Sequence, residues 1–283
     1  MSEQKKILES SPFSGIAVPI AIVLVGALII FGVTKMLSSG KDHKDLVNEL
    51  NSKTFGNRWV AAYELSKFLA AQKIPQEDMP WVIENLSKVY FESVDARTRN
   101  FVVMALGSLN NPLSLPVLNK ALTDQDPQVK FNAVVSIGNM DSTNEIAWDN
   151  MKALFEQNDD VGLKQAALLT YAAHKREEAT PFARSLLTSS EQTLRYSAAI
   201  VLIYSKQNEA IPVLEEILNL RYDVVSPGAL NGQQVESLKM SALEAIEKSE
   251  WKEALALVEQ AQQNDSNVRV NTKAKQVLNL LKK

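Results

Sequence analysis

From about residue 46 onward, apolar residues recur at helical period, and no stretch shows the sustained alternation of a half-buried strand. The pattern predicts helix pairs at 46–50 with 57–71, 77–91 with 95–108, 113–122 with 127–139 and 143–157 with 161–174. Further pairs follow at 178–188 with 191–205, 209–220 with 234–248 and 251–262 with 266–281. The breaks fall on turn and cap residues such as Asn110-Asn111-Pro112, Asp141-Ser142 and Ser189-Ser190. Asp126 ahead of Pro127 reads as an N-cap followed by proline at the first helical position.

The second helix of each pair carries a basic residue at a comparable place: Arg58, Arg99, Lys130, Lys164, Arg195, Lys239 and Arg269. The intervals are 41, 31, 34, 31, 44 and 30 residues, the range of helical hairpins stacked into a solenoid. Three, four and seven residues further on lies a stripe of small and large apolar side chains, clearest in Ala133/Val134/Ile137, Ala167/Leu168/Tyr171 and Ala198/Ala199/Leu202. In the seventh copy the stripe slips to Thr272/Lys273/Gln276, which reads as a polar terminal unit.

This pattern resembles the HEAT-like repeat family, including the short version known from phycobilisome lyases. The copy nearest to it is Asp126-Pro127-Gln128-Val129-Lys130 with Ala133 and Gly138, and Arg99 with Leu106-Gly107 matches the later half. The resemblance covers residues 46–283 and implies an all-α, right-handed α-solenoid of about seven hairpins, armadillo-like in architecture. In that family the basic residue braces adjacent hairpins by bonding to carboxylates or carbonyls of the turns. Asp95, Asp126 and Asp160, four residues ahead of their basic residue, suit that role.

The N-terminus has a different character. No charged side chain occurs between Glu9 and Lys35, and Ile16 to Val33 is apolar apart from glycine and proline. Eighteen helical residues span about 27 Å, close to the hydrocarbon thickness of a bilayer. A cleaved signal peptide has a shorter apolar core and a small-x-small site, which the exit Thr34-Lys35-Met36-Leu37 lacks. The expected organisation is a tail at 1–14, one transmembrane helix at 15–37, a linker at 38–45 and the repeat domain at 46–283. The protein is then single-pass, in the cytoplasmic membrane if bacterial. Basic residues flank the segment on both sides, which leaves the side of the repeat domain open.

Composition narrows the function. The net charge is −3 and the chain has no cysteine, which disfavours a nucleic-acid partner and removes thiolate chemistry. The two histidines, His43 and His174, sit in no metal-ligand motif, and no phosphate loop or nucleophile elbow is present. No metal and no cofactor are expected, and the chain reads as a binding protein rather than an enzyme.

The expected role is a membrane-anchored scaffold or adaptor for a protein partner, with a membrane complex as one candidate and residues 15–37 in the lipid bilayer. Docking is expected on the concave face of the second helices, two and six residues past each basic position. Glu64, Phe101, Asn132, Ser136, Thr170 and Ser197 belong to that set. Trp59 and Tyr63 are added as aromatic contact residues near the membrane end. The long interval before Lys239 marks an insertion at 222–233, whose Val224, Val225 and Leu230 are candidates for a binding loop. Two rivals remain, a bilin-lyase-like enzyme suggested by the repeat resemblance and a nucleic-acid-binding HEAT protein, which would need a basic concave face.

Overall fold

The computed structural model describes residues 41–141, 145–224 and 228–283. The tail at 1–14, the apolar segment at 15–37 and the loop residue Val225 lie outside the described residues. Among those described, every regular element is helical and no helix is long and apolar enough to cross a membrane.

The fourteen described α-helices form the seven expected pairs. They are α1 (His43–Glu49) with α2 (Phe55–Ala70), α3 (Met79–Glu92) with α4 (Ala96–Ser108), and α5 (Leu115–Ala121) with α6 (Pro127–Gly138). Next come α7 (Trp148–Glu156) with α8 (Val161–Ala173) and α9 (Ala179–Leu186) with α10 (Gln192–Tyr204). The last are α11 (Ile211–Leu218) with α12 (Gly232–Ser249) and α13 (Leu255–Asn264) with α14 (Val268–Leu281). Short 3-10 turns precede α3, α5, α11 and α13. The chain divides into two compact units, residues 1–65 and 66–283.

In the second unit the helices make two layers. Each first helix packs on its own partner, while the second helices α4, α6, α8, α10, α12 and α14 pack side by side in chain order. The core between the layers is the predicted stripe: Ala133, Val134, Ile137, Ala167, Leu168, Ala198, Ala199 and Leu202 are all fully buried.

Helix starts follow the caps. Asp95, Asp126 and Asp160 accept backbone N–H groups of their own first turns, and Asn231 forms a capping box with Gln234. Helix ends share another device. Gln72, Asn110, Lys175, Lys206 and Glu250 adopt left-handed conformations just past α2, α4, α8, α10 and α12, with no glycine among them. The N–H after Lys206 returns to the Leu202 carbonyl at 2.9 Å, closing the last turn of α10.

Two seams between second helices are unusually close. A Cβ on Gly107 of α4 would overlap the Ser136 side chain of α6, and one on Gly138 of α6 would lie 2.7 Å from Thr170 Oγ1 of α8. Glycine permits this approach and the facing hydroxyls use it: Ser136 donates to the Val103 carbonyl and Thr170 to the Val134 carbonyl, at 3.3 and 3.2 Å.

The seventh pair corrects the sequence reading. Helix α14 buries Val270, Ala274, Val277, Leu278 and Leu281, so its stacking stripe is intact. The N-cap is Asn267, and the residue four past it is Asn271, not Arg269. Asn271 donates to the Gln262 carbonyl, while Arg269 is exposed and pairs with Glu236. The insertion also has a definite form: α12 starts a turn early at Gly232, and Tyr222 anchors the preceding loop by donating to Asp265 at 2.8 Å.

Candidate functional site

Four members of the basic ladder, Arg58, Arg99, Arg195 and Lys239, brace turns or the following hairpin, through different partners from those expected. Arg58 donates to the Ser52 carbonyl, Arg99 to that of Ser93 and Arg195 to that of Ser189, each six residues back. The carboxylates come from the following hairpin. Arg99 bonds both oxygens of Asp124, Arg195 both oxygens of Glu216, and Lys239 bonds Asp265. Asp95, Asp126 and Asp160 cap their own helices instead, their carboxylates accepting backbone N–H groups of the first turn.

A tyrosine completes three of these braces. Tyr90 donates to Asp124, Tyr196 to Glu216 and Tyr222 to Asp265, at 2.7 to 2.8 Å. Burial opposes ionisation of Asp124, yet the bonds from Arg99, the Asp126 N–H and Tyr90 outweigh it and hold its carboxyl down to about 2. Hydrogen bonding from Arg195 lowers Glu216 in the same way, and burial with the Glu216 bond pushes Tyr196 up to about 12. These perturbed groups are consumed in holding hairpins together.

The residues facing solvent lie elsewhere on the second helices. The predicted positions, two and six past the basic residue, fall mostly into the seams. Ser136, Thr170 and Ser197 are buried; Ser197 receives a bond from Gln165 at 2.7 Å, and half-buried Asn132 bonds Asn100. Phe101 and Glu64 are also half-buried. A helix turns about 100° per residue, so moving back by a single position changes the face presented.

The positions five past the basic residue are the ones left open. Met104, Val135 and Leu169 are 53, 39 and 42% exposed, and Ile200 is half-buried. They stand at one register on α4, α6, α8 and α10. A shallow depression over α6 and α8 includes Phe131, Val135 and Leu169, and a second, sharing Gln165 and Leu169, continues over α10 to Leu238 of α12. Among the residues lining these two depressions, Glu244 on α12 is the one charged side chain, in a chain with 22% charged residues. The face is an apolar row among amides and hydroxyls.

The other candidates separate from it. Trp59 and Tyr63, on α2, are 61 and 58% exposed. Val224 is exposed, and Leu230 is half-buried; in this insertion it is Asn231, Gln233 and Gln234 that reach the depression over α10 and α12. Sequence periodicity pointed to the second helices but missed Val135, Leu169 and Ile200. The signal that finds them is an apolar residue at the same offset in four successive copies.

Comparison with known proteins agrees with this architecture. Residues 83–170, from α3 into α8, match the family of HEAT repeats. No curated protein matches the chain. Among solved structures it is similar to the CpcE–CpcF complex of phycocyanin lyase from Nostoc sp. PCC7120, at 17% identity and a TM-score of 0.54. That match covers 86% of this chain and 94% of the other. YibA of Escherichia coli is similar at 14% identity and a TM-score of 0.55, over 88% and 96% of the two chains. These likenesses are of fold: the regular elements of the described residues are all helical, and residues 83–170 match HEAT repeats.

Proposed function

We propose that this chain is a scaffold that holds a protein partner on the open face of α4, α6, α8 and α10, with the largely apolar segment at 15–37 as its single-pass membrane anchor. The observation that carries the reading is the row of exposed Met104, Val135 and Leu169, the last two set in depressions in which Glu244 is the one charged lining residue. Apolar patches rimmed by polar groups are surfaces for protein contact. The lining of the two depressions contains no cation, whereas a phosphate backbone is held by lysine and arginine. Asp124 and Glu216, carboxylates of altered acidity, are engaged in braces, which favours binding over catalysis. The CpcE–CpcF complex is a case of a protein of this fold in assembly with a protein partner.

The test compares full-length protein with a Val135→Asp, Leu169→Asp variant, each purified from native membranes in mild detergent. The reading expects one or more proteins to be retained by the first and lost from the second, with helical content equal by circular dichroism. Identical retention by both would refute it. Protease protection and alkaline extraction of the same membranes test the anchor and fix its orientation.

A further inference from the structure

We infer that the occupant of the open face is a single α-helix of another polypeptide, lying across the second helices, with uncharged apolar residues every seven positions. The inference rests on the reading that this face binds protein. Met104, Val135, Leu169 and Ile200 occupy the same register position on four helices packed side by side. Packed helices lie about 8–10 Å apart, so the row advances by that step and spans roughly 24–30 Å in all. In a partner helix, seven residues rise about 10.5 Å and return to the same face. Heptad-spaced side chains therefore meet each member of the row in turn, three steps placing the four contacts over about 22 residues. An extended strand matches the step only at three residues, about 10 Å, and then throws successive side chains to opposite faces.

Charge sets the chemistry of the docking face. A carboxylate or ammonium brought against Val135 and Leu169 loses hydration and meets no counter-charge in the lining. The amides that flank the row, Asn139 and Gln165, tolerate serine, threonine or amide neighbours on the partner. At the same register on α12 the residue is Glu244, exposed at the edge of the second depression. A lysine or arginine one heptad beyond the apolar run fits there.

The test uses the photocrosslinking amino acid p-benzoylphenylalanine in the full chain, in the cells that produce it. It is placed singly at 104, 135, 169 and 200, with exposed Glu156 on α7 as the control position. The expected result is adducts on one partner segment, advancing about seven residues from each probe to the next, at sites without charged side chains. Leu169→Asp should lower the adduct yield from position 135 at least tenfold while helical content is unchanged. The inference is overturned if the adducts advance by about three residues, or scatter over charged segments. Adducts on residues 16–33 of this chain or on a second copy also overturn it, as does an unchanged yield in Leu169→Asp. Protein adducts of the wrong spacing leave the scaffold reading standing, whereas absence of any protein adduct removes that reading too.

Discussion

Arg99 donates from Nε and Nη2 to the two carboxylate oxygens of Asp124, each at 2.8 Å, tying one hairpin to the turn of the next. Both side chains are largely shielded, at 16 and 5% exposure, so water screens the pair less than an ordinary surface bridge. Asp124→Asn keeps the shape and removes the charge. It should destabilise the protein by about 2 kcal/mol near neutral pH. The folded carboxyl lies at about 2 against an ordinary 3.8, so its contribution is complete above roughly pH 4 and is lost as pH falls through about 2. Urea unfolding of both proteins at pH 7 and at pH 3 should therefore show the gap narrowing with acid.

Gly107→Ala forces a methyl into the space of the Ser136 side chain. Alanine gains up to about 1 kcal/mol of helix propensity over glycine, but overpacking of a tight seam costs about 1–3 kcal/mol. A net loss of roughly 1 kcal/mol or more is expected in thermal or urea unfolding. Adding Ser136→Gly removes the two closest obstructing atoms and should recover part of it, less the cost of a glycine inside α6. A Gly107→Ala protein as stable as the parent would show that the seam gives way freely.

Lys206→Gly should stabilise. Lys206 holds φ of 54° at the end of α10, a conformation that costs a residue with a Cβ more than glycine. The gain expected is about 0.5–1 kcal/mol, reduced by the greater freedom of glycine in the unfolded chain. The midpoint of urea unfolding measures it, and a lower midpoint would contradict it.

Trp251 is fully buried, and its indole N–H makes no hydrogen bond among the described residues. What it supplies is volume. Trp251→Phe removes an unsatisfied donor with part of the bulk and should cost under about 2 kcal/mol, whereas Trp251→Ala should cost about 3–5 kcal/mol. Equal losses in the two variants would mean that the N–H has a partner after all.

The pairing of helices was legible in the sequence because caps and helical periodicity act within one or two turns. Asp126-Pro127 and the buried Ala133, Val134 and Ile137 are local statements, and the structure repeats them. The braces were half legible. Arg99 and Arg195 are visible at their intervals, but Asp124 and Glu216 lie 25 and 21 residues further on, and the nearer Asp95 competes for the role until packing shows that it caps a helix. The open face was missed by one residue, since a step of about 100° separates Val135 from Ser136. In α14 the eye follows Arg269, because charge is conspicuous, while the equivalent position is held by Asn271.

The glycine seams carry a consequence for specificity. Ser136 and Thr170 are locked against the backbones of α4 and α6, and this keys each helix in rotation about its own axis. Val135 and Leu169 sit one residue before these locks, so their heading is set from the side of the helix that no partner reaches. A change at Gly107 or Gly138 would turn the apolar row out of alignment without touching it. On the proposed scaffold reading, recognition is partly a matter of phase, written in residues that never meet what is recognised.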